Sequence, residues 1–240
     1  MTAPVPPDQE ADRVVRRYAR RQENPALVGL YDPWRPEVVL ARQERERAIV
    51  NLARRHHAKT FAQMDVLEIG CGDGNQLLEL LRLGVDAKRL VGSELLPERV
   101  ASARQRLPAA VTVIPGDACA LPFQPASFDL VVQMTVFSSL LDDAFQHRLA
   151  SAMWTWLRPG GAVLWYDFTV NNPRNPDVRG VPLSRVRALF PGATIDARRV
   201  TLAPPLARPL CRLHPLLYPV VNAVPLLRTH RLAWIEKPHE

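Results

Sequence analysis

At 240 residues, 47% of them hydrophobic and 23% charged, the chain is long enough to bury a full core and too apolar to be disordered along its length. Its net charge of +7 is unevenly placed: residues 1–60 hold 12 Lys and Arg against 8 Asp and Glu, residues 61–197 hold 12 against 14, and residues 198–240 hold 7 against 2. No nucleic-acid-binding signature accompanies this basic rim, the three scattered cysteines form neither a disulfide framework nor a zinc pattern, and no run of about 18 uncharged apolar residues exists to span a bilayer. The expectation is a cytoplasmic protein that binds no nucleic acid. Its first dozen residues lack the apolar stretch of a signal peptide.

Residues 1–10 read as a disordered lead, and residues 12–23 as a very basic helix with Tyr18 among arginines. Asn24-Pro25 breaks it, and the aromatic turn Tyr31-Asp32-Pro33-Trp34 follows. Pro36 is suited to the first helical position, and Leu40, Ile49, Leu52 and Ala53 support a helix to about His57. From Asp65 onward, short apolar runs alternate with helix-like stretches, which predicts a mostly parallel α/β sheet. The predicted strands are 66–70, 89–94, 111–114, 128–134, 161–168, 194–202 and 231–236; the predicted helices lie near 75–84, 97–106, 142–158 and 182–190. The chain therefore divides into an N-terminal extension (1–60), a core (61–202), an apolar segment rich in Leu, Val and Pro (203–229), and a last strand with its tail (230–240). Leu213 to Leu227 carry no formal charge, and Pro215, Pro219 and Pro225 break any long helix there. Such a run calls for a partner: its own core as an acceptor-side lid, a second copy in a homodimer, or a membrane surface. Internal packing or a dimer is the expectation. The alternative is peripheral membrane contact, for which Arg208, Arg212, Arg228 and Arg231 would be suited.

Val66 to Asn75 (VLEIGCGDGN) reads as a strand, a glycine-rich turn and a helix start. Glycines let the chain turn sharply and approach a ligand with no side chain in the way, at the strand end where doubly wound sheets bind nucleotides. The spacing is G-x-G-x-G, not the dinucleotide G-x-G-x-x-G. Glu94, 20 positions after Gly74, stands where an acid meets ribose hydroxyls. Asp117, in Gly116-Asp117-Ala118, could accept from an adenine amino group or simply form an Asx turn.

These segments, with Leu121-Pro122-Phe123, Ser127-Phe128-Asp129 and Leu157-Arg158-Pro159-Gly160-Gly161, resemble the ordered motif series of class I S-adenosylmethionine (SAM)-dependent methyltransferases, most of all the small-molecule group called type 11. The resemblance implies a doubly wound, mostly parallel seven-stranded sheet with a helical N-terminal extension serving as a lid, and SAM as cofactor with S-adenosylhomocysteine as product. It implies that Glu68 and the turn Gly70, Cys71, Gly72 and Gly74 face the methionine part. Glu94 would hold the ribose with Leu95 beside the adenine, and Asp117 and Ala118 the adenine edge. Gln133 would sit near the amino group or the acceptor. Glu94 stands where the family more often has Asp, and either acid can grip a ribose.

Methyl transfer from a sulfonium is an in-line displacement that asks mainly for alignment, with a base to help a hydroxyl acceptor. Asp167, at the end of the fifth strand, is the candidate base, and His147 a rival. Asn171, Asn172, Arg174 and Arg179, in the loop beyond it, are the candidate acceptor contacts, together with Tyr31 from the lid. No metal is expected, because Gln133 and Thr135 stand where a divalent-cation site would need carboxylates. The stretches 166–179 and 226–237 are similar to methyltransferases of bacterial surface-polysaccharide synthesis. The leading expectation is therefore O-methylation of a sugar, glycan or small hydroxylated molecule. A lipid, quinone-like or natural-product acceptor is the alternative, and a non-catalytic SAM-binding regulator the reading of a different class.

Overall fold

The computed structural model describes residues 9–22, 29–30, 32–56, 60–172 and 175–239. The readings that fall on residues 1–8, Asn24-Pro25, Tyr31, His57, Pro173 and Arg174 lie outside the described residues. Seven strands form one sheet: β1 (Val66–Ile69), β2 (Leu90–Glu94), β3 (Thr112–Pro115), β4 (Phe128–Met134), β5 (Leu157–Phe168), β6 (Thr194–Leu202) and β7 (Arg228–Glu236). Their order is β3-β2-β1-β4-β5-β7-β6. β3, β2, β1, β4 and β5 run parallel, and β7 lies antiparallel between β5 and β6. The expected doubly wound sheet is present.

The strands are apolar on both faces because helices cover both. The period of two sorts the side chains. Val66, Leu130, Val132, Leu164 and Trp234 point into one core with α2 (Pro36–His56), α3 (Asn75–Arg82) and α4 (Pro97–Arg106). Leu67, Ile69, Val131, Val163 and Trp165 point into the other, with α1 (Gln9–Gln22), α5 (Asp143–Trp156) and α6 (Leu183–Leu189). Local signals start these helices: Asp142 accepts from the Phe145 N–H at 2.7 Å as the α5 cap, and Pro97 opens α4. Successive strands leave β1 in opposite directions, toward β2 and toward β4. This reversal opens a crevice at the carboxyl ends of the strands.

Three boundaries differ from expectation by three residues or more, the others by at most two. α1 begins at Gln9, inside the expected disordered lead, because Glu10 is buried against Arg17. β5 begins at Leu157 rather than at Gly161, since Leu157 pairs with Phe128 across a register shift. β7 begins at Arg228, so the apolar segment ends two residues sooner than expected. That segment folds as α7 (Pro204–Leu213), α8 (Leu217–Asn222) and a 3-10 turn at Pro225–Leu227. It packs on its own chain: Ala207, Cys211 and Tyr218 meet Leu202, with Leu40 and Ala41 of α2 against them.

Candidate functional site

A cleft of about 790 Å³, open mouth included, lies at the crevice between the carboxyl ends of β1, β2 and β4. Its floor comes from the sheet and its loops: Ile69, Gly70, Ser93, Glu94, Asp117 and Thr135. Leu140, Phe145 and Leu149, from α5 and the loop before it, add an apolar wall. The roof is α1, which contributes Ala11, Val14 and Tyr18.

The glycine turn is built as its spacing requires. Gly70 (φ +64°) and Gly74 (φ +80°) occupy the left-handed region, and a Cβ on Gly70 would lie 2.8 Å from Val136 Cγ2. Glu94 is tied to this turn. Its Oε2 accepts from the Gly72 N–H at 2.8 Å and its Oε1 from the Leu96 N–H at 2.9 Å. A carboxylate has about four acceptor positions, so two remain toward the cleft. Asp117 Oδ1 accepts from the Cys119 N–H at 2.8 Å, which makes it both an Asx turn and a carboxylate at the cleft wall. Of the expected cofactor residues, the cleft gathers Gly70, Glu94, Leu95, Asp117 and Ala118.

Glu68, Cys71, Gly72, Gly74 and Gln133 do not line it. Gly72 instead offers its N–H to Glu94, and Gly74 faces Leu107. Gln133 is fully buried, accepting from the Val136 N–H at 3.1 Å and donating to the Tyr166 carbonyl, and so shapes the turn after β4. The buried Cys71 thiol is pushed well above its ordinary range by burial and nearby Glu68. Glu68 lies just before the turn and Gln76 just after it. Glu68 Oε2 and both amide atoms of Gln76 are buried without a protein partner, as is Nε of Arg45 from α2. Burial pushes the Glu68 carboxyl up to about 8, against the pull of Arg45 and with help from Glu79 and Glu94.

The expected acceptor side is assembled differently. Asp167 is fully buried and absent from the cleft wall. Its two oxygens accept from the Ser138 N–H at 3.0 Å and the Phe168 N–H at 2.9 Å, and burial pushes it up to about 7. This geometry gives Asp167 the work of joining the end of β5 to the β4–α5 turn. His147 bonds to Arg185 at an exposed position. Asn171 accepts from the Gly180 N–H, closing its own loop. Asn172 is exposed. Arg179 pairs with Asp143. None of the four lines the cleft. Trp34, expected near the lid, is 90% exposed. Among the described residues, no cluster of three His, Cys, Asp or Glu side chains could hold a metal ion.

Sequence reasoning missed Ser139 and Arg99, and it missed the backbone conformation of Thr135. Thr135 is held at φ +60° with its N–H on the Tyr166 carbonyl at 2.8 Å. A non-glycine residue in that region is strained and clusters at functional sites, but nothing in the local sequence announces it. The Arg99 guanidinium covers the Tyr18 ring at 4.5 Å, joining α4 to the roof. α1 is anchored by a buried pair: Arg17 bonds Glu10 at 2.5 Å and the Ser139 carbonyl at 2.9 Å, and Glu10 accepts from the Leu141 N–H. The basic character of α1 was legible; that one of its arginines turns inward was not.

A family profile described as "Methyltransferase domain" matches residues 66–161. A protein named a probable S-adenosylmethionine-dependent methyltransferase in Mycolicibacterium smegmatis is 35% identical over 136 residues, covering 50% of this chain and 48% of that protein. The chain thus matches about half the length of that relative. A demethylmenaquinone methyltransferase of Roseiflexus castenholzii is 30% identical over 175 residues, covering 72% of this chain and 67% of that one. The solved structure of an S-adenosylmethionine-dependent methyltransferase from Mesorhizobium loti shares the fold, with TM-score 0.58 at 16% identity over 78% of this chain and 96% of that chain.

Proposed function

Because the chain belongs to the class I S-adenosylmethionine-dependent methyltransferases, we propose that it transfers a methyl group from SAM to a small, largely apolar acceptor of the quinone-like or lipid class. The observation that carries this reading is the cleft at the sheet's reversal point, which pairs two carboxylates with otherwise mostly apolar walls. Glu94 presents acceptor positions to the ribose hydroxyls, and Asp117 to the adenine amino group. Leu95, Ala118 and Leu149 offer apolar surface to the adenine ring. The Gly70 end of the glycine turn, which the cleft includes, would face the amino-acid end of the cofactor, while the unpartnered polar atoms of Glu68, Gln76 and Arg45 lie behind that turn, outside the cleft wall. When bound, SAM supplies a methyl carbon on a sulfonium, and the electron pair of the broken C–S bond leaves with sulfur. The chain's own contribution is alignment and exclusion of water. The turn and Glu94 fix the donor, and α1 covers it.

The sugar or glycan reading rests on the polar loop 171–179, and Asn171 and Arg179 there are engaged with Gly180 and Asp143. The Roseiflexus relative carries a quinone-methyltransferase name, and the apolar cleft agrees with such an acceptor. The test is transfer of labelled methyl from SAM to a panel of reduced quinones, lipid alcohols and sugar nucleotides. Turnover confined to the first two, and lost in Glu94→Ala, is expected. Efficient transfer to a sugar nucleotide would overturn the acceptor class. Failure to bind SAM at all would overturn the use of this cleft.

A further inference from the structure

α7 and α8 each have an inner and an outer side. The buried residues recur at four, Ala207 and Cys211 on α7, Tyr218 and Asn222 on α8. Two residues further round, at roughly 200° on a helix, come Leu213 on α7 and Val220 on α8, exposed to 78% and 66%, and Leu216, the cap of α8, is 69% exposed. Leu226, in the 3-10 turn that follows, is 80% exposed. Single exposed aliphatics are ordinary, but five within a 14-residue stretch, Val224 being the fifth, are not.

Charge selects the partner. From Ala197 to Ile235 the sequence carries six arginines, at 198, 199, 208, 212, 228 and 231, and no Asp or Glu. Arg212 is exposed beside Leu213, and Arg208 is half-exposed one turn earlier. Two acids of α2 reach this region: Glu44 is occupied by the Tyr218 hydroxyl, the Thr201 N–H and Arg228, and Glu37, close enough to act on Cys211, pairs with Arg35. A two-fold dimer through this face would set arginine-rich rims against each other, because such an interface pairs a patch with itself. An anionic lipid surface would take both the aliphatic side chains and the guanidinium groups. Trp34, 90% exposed, precedes the helix whose Leu40 and Ala41 pack against α7 and α8, and an indole suits the headgroup layer.

Position gives the contact a use. β6 pairs with β7, and β7 with β5, both antiparallel, so β6 ends at the same edge of the sheet as β5. α7 follows directly, three strands along from β4 and roughly 14 Å from the cleft at the usual strand spacing. We propose that the outer face of α7 and α8 docks this chain on an anionic membrane surface with the carboxyl edge of its sheet toward the lipid. The contact deepens the apolar-acceptor reading, yet vesicle binding and acceptor choice are measured separately and can fail separately.

The experiment is flotation of the full chain with vesicles of phosphatidylcholine mixed with phosphatidylglycerol, and with phosphatidylcholine alone. Binding to the mixed vesicles only, weakened by salt, is expected. The variant Leu213→Ser/Leu216→Ser/Val220→Ser/Leu226→Ser should lose more than tenfold of it while keeping SAM affinity, which reports an intact core. Arg208→Gln/Arg212→Gln should lose the preference for anionic lipid. A tryptophan introduced as Leu226→Trp should be quenched by brominated lipid tails. Undiminished flotation of the aliphatic variant, or no quenching at Leu226→Trp, overturns the proposal. So does a stable dimer of the wild type that this variant dissociates and that does not float.

Discussion

Glu94 reaches the cleft already fixed by two backbone N–H groups, one from the glycine turn and one from the start of α4. A ligand that hydrogen-bonds to this carboxylate meets a preorganised acceptor. Hydrogen bonds to a charged group contribute about 1.5–3 kcal/mol, on the order of a tenfold to a hundredfold in affinity. Glu94→Ala should therefore weaken SAM at least tenfold by calorimetry, and Asp117→Ala by a smaller factor. Unchanged affinity in both would place the nucleoside elsewhere. Asp167 looks like a base in the sequence because it is an acid at the end of a strand in this fold. Burial and two N–H donors instead make it a joint of the scaffold. Asp167→Asn retains a single acceptor oxygen for the N–H groups of Ser138 and Phe168 and the further donors of the Phe137–Ser138 turn, and an unsatisfied buried donor costs about 1–3 kcal/mol. The expected result is a Tm lower by several degrees with methyl transfer per folded molecule preserved. A normal Tm with abolished turnover would restore Asp167 to the chemistry.

At the scale of elements, α1 is the part whose attachment rests on few interactions. Its Arg17–Glu10 pair is almost fully buried and also holds the Ser139 carbonyl and the Leu141 N–H. Removing one partner of such a pair leaves the other charge buried and uncompensated, a loss of about 3–5 kcal/mol. For a terminal helix, the cheaper response is to detach. Arg17→Met should speed SAM release at least tenfold in stopped-flow displacement, with little change in the main unfolding transition. Equal loss of Tm and affinity would mean that α1 belongs to the cooperative core rather than to a lid. The α7–α8 segment was legible as apolar, proline-broken and in need of a partner. Its inner face found that partner in Leu202 and α2, while its outer face did not.

Across the whole molecule, two buried carboxyls and one buried imidazole set the pH response; His230, lowered from 6.5 to about 4 by burial, opposes the carboxyls below about pH 6.5 and leaves the range above it to them. Glu68 is raised from 4.5 to about 8 and Asp167 from 3.8 to about 7, both chiefly by burial. The folded state then keeps protons that the unfolded chain has already released between about pH 4 and 8. Unfolding releases these carboxyl protons in that window, and the carboxyls' share of stability falls as pH rises through it. The unliganded protein should melt at progressively lower temperature from about pH 6.5 to about pH 8, and Glu68→Gln should flatten the upper part of that slope. A melting temperature that rises over the same range would show that neither carboxyl is destabilised by burial.

The sequence by itself determined the sheet, the glycine turn and the chain positions of Glu94 and Asp117. Strand patterning, left-handed glycines and Asx turns depend on neighbours a few residues away, so local chemistry writes them directly. The boundaries that moved, at Gln9, Leu157 and Arg228, are set by partners far along the chain: Arg17 with Ser139 for α1, Phe128 for Leu157, and β6 for Arg228. Only the tertiary structure decided which carboxylates face the cleft and which are buried. It also turned Gln133 and Asp167 toward the backbone and brought Tyr18 over the crevice. Those outcomes follow from the packing of distant elements, which fixes the dielectric and the hydrogen-bond partners of each group, and no local pattern of residues carries that information.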